Sequence, residues 1–282
     1  GARHRGTASI PVVNAAIVSP MQLRNRVAWV TGASSGIGEA LVPALLARGA
    51  KVVISARRSD KLDALVAQHG RDRVAAVPVD LTQLDSLEDA ARRAEAAFGQ
   101  VDALINNAGR SQRAPALETS MEDVRELMDL NFTAPVALTR ALAPAMVARG
   151  VGHVSVVSSV AGYLSTPHRS TYSASKFAVR GYFDSLRAEL HGTGVEVGII
   201  CPGYVRTEIT RAALGEGGGA HGKTSSAIEA GLSPEKVAKG IVSAIESGRH
   251  ELVIGGKETA GVYLSRWAPS LVRRLAPRLT PD

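Results

Sequence analysis

The sequence predicts an α/β protein, built as a single domain around a doubly wound parallel sheet of about seven strands with helices on both faces. Two observations lead to this prediction. Short apolar runs typical of buried strands alternate along the chain with longer amphipathic runs typical of helices. No repeat or change of composition divides the 282 residues, a length that suits one large α/β domain.

The strands are recognised as apolar runs bounded by glycine, proline or polar residues. Apolar runs of this kind, separated by helices, indicate a parallel sheet that is covered on both faces. The predicted strands are residues 26–31, 51–56, 73–80, 101–109, 152–160, 195–203 and 250–256.

The segments between the strands carry the start signals of helices. Ser59 is a suitable N-cap for the helix after the second strand, and Ser233 followed by Pro234 begins a helix near the carboxyl end. The long helical stretch before the fifth strand contains Pro135 and Pro144. Because proline removes a helical hydrogen bond, these two residues are expected to bend or split that helix.

The composition restricts the classes of function. A formal net charge of +7 is compatible with an anionic partner. Most of the excess is interpreted as a solvated surface, and the alternatives are a phosphate-bearing cofactor or an acidic membrane surface. Scarce aromatic residues and the lack of a recognised binding module argue against nucleic acid. The single cysteine, Cys201, allows no intramolecular disulfide, and no spacing of ligands predicts a metal site. A lone cysteine suits a reducing compartment, so a cytoplasmic location, with or without membrane association, is predicted. No apolar run has the length of about 20 residues that a membrane-spanning helix needs.

A glycine-rich stretch, TGASSGIG at residues 31–38, joins the first strand to the first helix. Gly32 permits a tight turn, Gly36 lets the backbone approach a diphosphate, and Gly38 allows close packing of helix on strand. The free N–H groups and partial positive charge of the helix N-terminus suit phosphate groups. At this junction, the pattern predicts a dinucleotide-binding loop.

The end of the second strand indicates which dinucleotide is bound. An acidic residue there would favour a free ribose 2′-hydroxyl, but the strand ends with Ser55, Ala56, Arg57 and Arg58. Two guanidinium groups suit a 2′-phosphate. NADP(H) is therefore predicted in preference to NAD(H); the alternative is that both arginines are solvated residues at a strand end.

From about residue 25 to 256, the chain resembles the classical short-chain dehydrogenase/reductase (SDR) family. The resemblance rests on an ordered series of motifs, which are TGASSGIG, Asp80 in VDL, NNAG at 106–109, Asn131, Ser159, YSASK at 172–176 and PGYVRT at 202–207. It implies a Rossmann-type sheet of seven parallel strands. It also implies an oxidoreductase that interconverts a carbonyl and an alcohol.

The resemblance further implies a cofactor site. Asp80 would lie near the adenine amino group, NNAG would support the central strand beside the cofactor, and Thr207 would lie near the nicotinamide carboxamide. The residues expected to bind the cofactor are Gly32, Ser34, Ser35, Gly36, Ile37, Gly38, Arg57, Arg58, Asp80, Leu81, Asn107, Ala108, Gly109, Tyr172, Lys176, Pro202, Gly203, Val205 and Thr207.

Tyr172 and Lys176 form a candidate proton-transfer pair. Their spacing of four places both side chains on one face of a helix. Hydride transfer to a ketone leaves an alkoxide that needs a proton, and a neighbouring ammonium lowers the pKa of a phenol toward neutrality. Because such a pair is also common in helices that merely pack, the prediction depends on the accompanying motifs.

The resemblance assigns the remaining catalytic roles. Lys176 would hydrogen-bond the nicotinamide ribose, Ser159 would polarise the substrate oxygen, and Asn131 would hold a water that links Lys176 to solvent. Ser158 is the rival of Ser159, although its side chain should point to the other face of the strand. No Gly-x-Ser-x-Gly motif is present, so a hydrolase is not expected.

The substrate pocket is predicted between residues 161–169, residues 110–116 and a glycine-rich lid at about 208–228. These segments suit a small to medium-sized, moderately apolar carbonyl compound or alcohol. The residues expected to contact it are Ser159, Tyr163, Leu164, His168 and Tyr172.

Three segments are predicted along the chain. They are an N-terminal extension over 1–24, either flexible or foreign to the natural protein, a catalytic SDR domain over 25–256, and a basic amphipathic tail over 257–282. The tail could dock on its own domain, on another subunit or on a membrane surface. The family commonly forms dimers or tetramers, so a homo-oligomer is expected. The alternative to an enzyme is a non-catalytic, nucleotide-dependent binding or scaffold protein with the same fold.

Overall fold

The computed structural model describes residues 20–209, 213–215 and 226–278. At its centre is a seven-stranded sheet with the order β3-β2-β1-β4-β5-β6-β7, in which all neighbours are parallel. The predicted sheet is therefore confirmed. The strands are β1 (Val27–Thr31), β2 (Lys51–Ser55), β3 (Val74–Ala76), β4 (Ala103–Asn106), β5 (Gly152–Val157), β6 (Val195–Pro202) and β7 (Glu251–Ile254).

Helices cover both faces of the sheet. They are α1 (Gly36–Leu46), α2 (Ser59–His69), α3 (Leu87–Phe98), α4 (Met121–Met128), α5 (Ala134–Arg149), α6 (Ser170–Glu189), α7 (Ser226–Glu229), α8 (Pro234–Glu246), α9 (Ala260–Trp267) and α10 (Pro269–Leu275). Apolar residues of α1, α2 and α8 form the core on one face, and those of α3, α5 and α6 form the core on the other.

The central strand β1 shows why both faces are covered. Ala28 and Val30 belong to the first core, whereas Val27 and Trp29 belong to the second. Successive side chains of a strand point to opposite faces, so a run of apolar residues requires helices on both. The strand order changes direction between β1 and β4, and such a switch point opens a crevice at the carboxyl ends of the strands.

The long helical stretch after β4 is divided, but not at a proline. A π-helical turn over Asp129–Thr133 separates α4 from α5. Pro135 lies in the first turn of α5, directly after the π turn, and Pro144 lies inside α5. The π turn carries the buried Asn131. Insertions of this kind re-aim side chains and frequently occur at functional sites.

The segments at the two ends of the chain contribute to the core. Met21 and Leu23, which the sequence assigned to an N-terminal extension, are buried against the first core, and Val262 of α9 is buried in the second. Residues 1–19, most of the predicted lid over 208–228 and the last four residues lie outside the described ranges. Within those ranges, none of the helices combines the length and apolar character needed to span a membrane.

Candidate active site

The glycine-rich loop between β1 and α1 is shaped by close backbone packing. Gly32 and Gly36 have positive φ angles of 68° and 59°. A Cβ on Gly38 would overlap the carbonyl oxygen of Gly32. These positions therefore exclude larger residues. The side chain of Ser35, the N-cap of α1, makes no capping hydrogen bond, so the first N–H groups of the helix remain suited to an anion.

Two other motifs meet this loop. Thr31 Oγ1 accepts hydrogen bonds from the backbone N–H groups of Asn107 and Ala108, each at 3.1 Å, and Asn107 Nδ2 donates to the Thr31 carbonyl at 2.9 Å. Thr207 approaches from the other side, because a Cβ on Gly36 would lie 2.9 Å from its Cγ2. The three motifs TGASSGIG, NNAG and PGYVRT therefore converge at the carboxyl ends of β1, β4 and β6.

Two arginines lie at the edge of the glycine-rich loop. Arg58 Nη2 donates to Oγ of Ser34 at 2.9 Å and to its carbonyl oxygen at 3.0 Å. Arg57 is exposed beside it. Two cations next to a helix terminus that suits phosphate are compatible with a phosphate-bearing dinucleotide. Asp80 accepts hydrogen bonds from the backbone and side chain of Thr82, at 3.0 and 2.8 Å, which holds the turn after β3.

The predicted catalytic side chains lie together where the first turns of α6 meet the carboxyl end of β5. Tyr172 and Lys176, one turn apart on α6, are buried. Lys176 Nζ lies 5.8 Å from the centre of the Tyr172 ring and donates to the Val157 carbonyl at 2.8 Å. The Ser159 side chain lies close enough to the Tyr172 phenol to lower its pKa. Ser158 Oγ instead donates to the Lys176 carbonyl at 3.0 Å. The structure therefore brings Ser159, and not Ser158, to the tyrosine.

Asn131 connects the π turn to this group. Its Oδ1 accepts from the Arg110 backbone at 2.9 Å, while its Nδ2 donates to the Arg110 carbonyl and to Ser175 Oγ, both at 3.0 Å. A Cβ on Gly109 would lie 3.1 Å from Asn131 Oδ1 and 3.4 Å from Lys176 Nζ. The amide and the ammonium therefore flank the same piece of backbone, at the end of NNAG.

Burial changes the proton affinity of both members of the Tyr172–Lys176 pair. It raises the pKa of the Tyr172 phenol, and the hydrogen bond with Ser159 and the charge of Arg169 oppose this rise. Burial also lowers the pKa of Lys176 to about 8. The sequence led us to expect a lowered phenol pKa. In the structure desolvation is the larger effect, so the phenol keeps its proton at neutral pH.

The mouth of the site is formed by three segments joined through backbone hydrogen bonds. The Leu214 N–H donates to the Ser111 carbonyl at 2.9 Å, and the Arg113 N–H donates to the Leu214 carbonyl at 2.6 Å. The Ala114 N–H donates to the His168 carbonyl at 3.2 Å. The imidazole of His168 is exposed, so in these contacts the residue contributes backbone.

Deeper in the site, the lining consists of apolar side chains. Leu214 packs with Tyr172, Leu127 and Ala161 in an apolar cluster separate from the two main cores. This cluster gives the site an apolar wall next to Tyr172.

Gln112 belongs to the site, although sequence reasoning did not single it out. Its buried Oε1 accepts from the backbone N–H groups of Thr171 and Tyr172, at 2.9 and 3.3 Å. These N–H groups belong to the first turn of α6 and have no partner inside the helix. The sequence carries no signal for this contact, because it joins residues 59 positions apart.

The side chains of Tyr163 and Leu164, which were predicted to contact the substrate, point away from Tyr172 and Lys176 in their described contacts. The Tyr163 hydroxyl donates to the Glu251 carboxylate, and the Arg180 guanidinium lies 3.7 Å from the centre of the Tyr163 ring. A Cβ on Gly261 would lie 2.7 Å from Leu164 Cδ2. Their described contacts are therefore with β6, β7, α6 and α9, and not with Tyr172 and Lys176.

The C-terminal segment also supports the PGYVRT loop. Glu258 Oε1 accepts from the backbone N–H groups of Tyr204 and Gly256, both at 2.9 Å. A side chain at Gly203 would collide with this carboxylate. Glu258 was not identified from sequence. In the described part of the chain, no group of three His, Cys, Asp or Glu side chains could hold a metal ion.

Comparisons with known proteins agree with this geometry. The family model described as short chain dehydrogenase matches residues 26–216. The dehydrogenase/reductase SDR family member 7B of Xenopus laevis is 37% identical over 258 residues, which cover 88% of this chain and 80% of the relative.

Two solved structures are also similar. A short chain dehydrogenase/reductase from Burkholderia phymatum in complex with NAD has a TM-score of 0.79 and 26% identity, covering 93% of this chain and 98% of its own. A short chain dehydrogenase from Burkholderia cenocepacia J2315 in complex with NADP has a TM-score of 0.75 and 30% identity, covering 93% and 100%. With the ordered motifs converging in a crevice at the sheet's switch point, the chain belongs to the short-chain dehydrogenase/reductase family of oxidoreductases.

Proposed function

We propose that the protein is an NADP(H)-dependent oxidoreductase that interconverts a carbonyl and a primary or secondary alcohol on a small to medium-sized, moderately apolar substrate. The observation that carries the proposal is the burial of Tyr172 with Lys176 one turn further along α6, 5.8 Å from the centre of the tyrosine ring, and with the Ser159 side chain close enough to lower the pKa of the phenol. A bound nicotinamide dinucleotide supplies or accepts the hydride. Family membership and the NAD and NADP complexes of the two similar structures support such a cofactor.

In the direction of reduction, Tyr172 donates its phenolic proton to the substrate oxygen. The raised pKa keeps that proton on the phenol until the oxygen becomes strongly basic. Ser159 hydrogen-bonds the same oxygen and stabilises the negative charge that develops on it. In the direction of oxidation, the same two groups act in reverse, with the phenolate as base.

Lys176 and Asn131 return the proton to Tyr172 in this proposal. Lys176 is buried. Its ammonium and the Asn131 amide both lie close to the backbone of Gly109. A water held at Asn131 would link the ammonium to solvent, so that the phenol regains its proton after each turnover. The close approach of the two groups to Gly109 supports this arrangement.

The test is Tyr172→Phe, which keeps the ring against Leu214 and removes the hydroxyl. We expect unchanged NADPH binding and a turnover lowered by about 10²–10⁴, the value of general acid catalysis. A panel of ketones and alcohols first identifies a working substrate. Tyr182→Phe on the same helix is the control, because Tyr182 packs against Phe132 and Phe183 away from the site.

Two results would contradict the proposal. Full turnover by Tyr172→Phe would remove the tyrosine from the chemistry. Tight NADPH binding by the wild type, without reduction of any compound in the panel, would support the alternative of a nucleotide-dependent scaffold.

The preference for NADP(H) is supported by Arg57 and Arg58 at the edge of the glycine-rich loop. We expect a higher kcat/KM with NADPH than with NADH. Replacing both arginines by alanine should reduce the ratio of kcat/KM for NADPH to kcat/KM for NADH by about tenfold or more, because charged hydrogen bonds to phosphate are lost. Arg71→Ala, at another exposed position, is the control. A wild type that prefers NADH would overturn this part of the proposal.

Association into a homo-oligomer is supported by exposed apolar side chains on two helices. Met121 on α4 and Phe177 on α6 are 62% and 43% exposed. Light scattering after size-exclusion chromatography should give the mass of a dimer or tetramer for the wild type and a smaller mass for Phe177→Ser. A monomeric wild type would reject the proposal.

The C-terminal tail supports a second proposal, that this cytoplasmic enzyme also binds an anionic membrane surface. Tyr263, Trp267, Leu271 and Leu275 of α9 and α10 are 54%, 87%, 45% and 37% exposed. Residues 260–278 contain four arginines and no acidic residue. Exposed apolar groups beside arginines are complementary to the interface of anionic lipids.

Point substitution tests this surface better than truncation, because Val262 of α9 is part of the core. We expect the wild type to sediment with phosphatidylglycerol vesicles and not with phosphatidylcholine vesicles. Trp267→Ser should lower the binding constant by about tenfold, from the lost burial of one large apolar side chain. Leu117→Ser is the matched control, since Leu117 is fully exposed far from the tail in sequence. No binding to the anionic vesicles would reject the proposal.

A further inference from the structure

We propose that Arg169 binds an anionic oxygen group of the substrate, a carboxylate or a phosphate. The enzyme would then be selective for oxo or hydroxy compounds that carry such a group near the reacting carbon. This inference rests on the proposed function, because it concerns the same site. Arg169 stands three positions before Tyr172 and is assigned here as a specificity-determining residue.

The guanidinium of Arg169 lies within the segments that surround the catalytic tyrosine. Its central carbon is 5.7 Å from the centre of the Tyr172 ring, and its Nη1 donates to Ser111 Oγ at 3.3 Å. Ser111 is buried, and its carbonyl accepts the Leu214 N–H. Leu214 in turn packs against Tyr172. The guanidinium therefore lies beside the Tyr172 ring and is linked through Ser111 to the segment that carries Leu214.

The guanidinium lacks acceptors for most of its hydrogen-bonding capacity. Nε and Nη2 of Arg169 are shielded from solvent and have no hydrogen-bond partner among the residues that the structure describes. Its bond to Ser111 is long and goes to a neutral hydroxyl. Unsatisfied buried donors on a charged group are unfavourable. A planar oxyanion would satisfy this fork with two parallel hydrogen bonds.

Four other described arginines also have a buried nitrogen without an acceptor, namely Arg113, Arg149, Arg180 and Arg187. Arg180 pairs with Glu251 at 3.6 Å, Arg187 pairs with Asp184 at 2.7 Å, and Arg149 donates to the Val101 carbonyl at 2.9 Å. Among these five described arginines, Arg169 is the one that lies beside the Tyr172 ring. Within the described ranges, the structure shows no carboxylate paired with Arg169. The charge that would balance Arg169 can therefore come from the ligand.

The remaining walls of the site define the rest of the ligand. Ala161, Leu127 and Leu214 provide an apolar surface next to Tyr172. The expected substrate therefore combines an apolar part, a carbonyl or hydroxyl at Ser159 and Tyr172, and an oxyanion at Arg169.

Binding of an anion would also affect the chemistry. The charge of Arg169 opposes the burial that raises the pKa of Tyr172. When an oxyanion neutralises Arg169, this opposition is weakened and the phenol holds its proton more strongly. An anionic substrate therefore favours the protonated tyrosine that carbonyl reduction needs.

The test is a binding measurement that does not depend on turnover. Enzyme saturated with its preferred oxidised cofactor cannot reduce a ketone, so calorimetry can measure Kd for 3-oxobutanoate and for the neutral methyl 3-oxobutanoate. We expect the acid to bind about tenfold or more tightly than the ester, in keeping with charged hydrogen bonds. The pair of 2-oxopropylphosphonate and its dimethyl ester shows whether a phosphate-like or a carboxylate group is preferred.

Substitutions at Arg169 locate the effect. Arg169→Met keeps the aliphatic stem and should abolish the preference for the acid while leaving the Kd of the ester unchanged. Arg169→Lys keeps the charge without the planar fork and should retain part of the preference. Arg187→Met, on the helix that follows Arg169, should retain the whole preference for the acid. If Arg169→Met fails to fold, the wild type and Arg169→Lys still decide the question.

Three results would overturn the inference. They are equal affinity of wild type for acid and ester in both pairs, no binding of either anionic probe, and a preference that survives in Arg169→Met. The outcome is separable from the proposed function. A preference that depends on Arg169, combined with full turnover by Tyr172→Phe, would keep the anion site and reject the catalytic role of the tyrosine.

Discussion

The cofactor side and the substrate side of the crevice are held together by different kinds of contact. On the cofactor side, glycines at 32, 36 and 38 let backbone segments approach so closely that a Cβ at any of them would collide with a neighbour. On the substrate side, loops at 111–114, 168–172 and 213–215 are joined by hydrogen bonds and by the Gln112 side chain. The first side depends on steric exclusion, and the second on pairing between distant residues.

This difference teaches where shared chemistry and selectivity reside. A loop in which three positions tolerate no side chain has one shape, which suits the fixed geometry of a diphosphate. Loops joined by side chains can change their residues without disturbing the sheet, so they can be adapted to one substrate.

The largest effect is expected from adding a methyl group on the cofactor side. Gly38→Ala would push a Cβ into the Gly32 carbonyl. We expect NADPH affinity to fall by about 100-fold or more, and overpacking to lower the free energy of unfolding by about 1–3 kcal/mol. Fluorescence titration with NADPH and urea unfolding measure the two effects.

Gly181→Ala on α6 is the matched control. A Cβ there meets nothing within 4 Å, so the substitution should stabilise the helix by roughly 0.5–1 kcal/mol. Normal NADPH binding by Gly38→Ala would show that the loop tolerates a side chain, and the proposed distinction between the two sides would fail.

A smaller effect is expected from Gln112→Ala on the substrate side. The N–H groups of Thr171 and Tyr172 lose their acceptor, which should lower the free energy of unfolding by about 1–3 kcal/mol. Because α6 then loses the support of its first turn, kcat should fall while NADPH affinity remains unchanged. Urea unfolding and steady-state kinetics measure these quantities, with Gln68→Ala, at an exposed position of α2, as control. Parallel losses in kcat and in NADPH affinity would show that the two sides are coupled.

The smallest effect is expected at Lys176, which belongs to the substrate-side helix but lies beside Gly109 on the cofactor side. Burial lowers its pKa to about 8, so its ammonium form declines as pH rises through 8. We expect kcat/KM for NADPH, which reports groups of the free enzyme, to fall about tenfold between pH 7 and pH 9. Lys176→Arg should lose this pH dependence, because arginine stays charged. A flat wild-type profile would mean that cofactor capture does not need the ammonium.

Sequence reasoning succeeded where a physical constraint is local. Apolar runs predicted seven strands because each buried strand must be apolar on both faces. The predicted motifs lie together because the carboxyl ends of β1, β4, β5 and β6 meet at one edge of the sheet. Sequence did not predict the π turn at Asn131, since proline was the available signal and Pro135 falls in the first turn of α5.

The directions of individual side chains were harder to predict from the sequence. Tyr163 and Leu164 follow Ser159 closely in sequence, yet their contacts are with β6, β7, α6 and α9. Arg169 lay within a predicted substrate segment but was not singled out. Its significance depends on which acceptors surround it in space.

By itself, the sequence determined the parallel sheet, the glycine-rich loop and the order of the motifs. The sheet follows from apolar runs, the loop from glycines that lack a side chain, and the motifs from the spacing of residues along a helix. All three signals involve residues that are near neighbours in the chain. Tertiary structure decided which serine meets Tyr172, that Gln112 supports α6, and that Arg169 lies beside the tyrosine without a carboxylate. It also decided the raised pKa of Tyr172, because desolvation depends on residues far apart in sequence that fold around the same atoms.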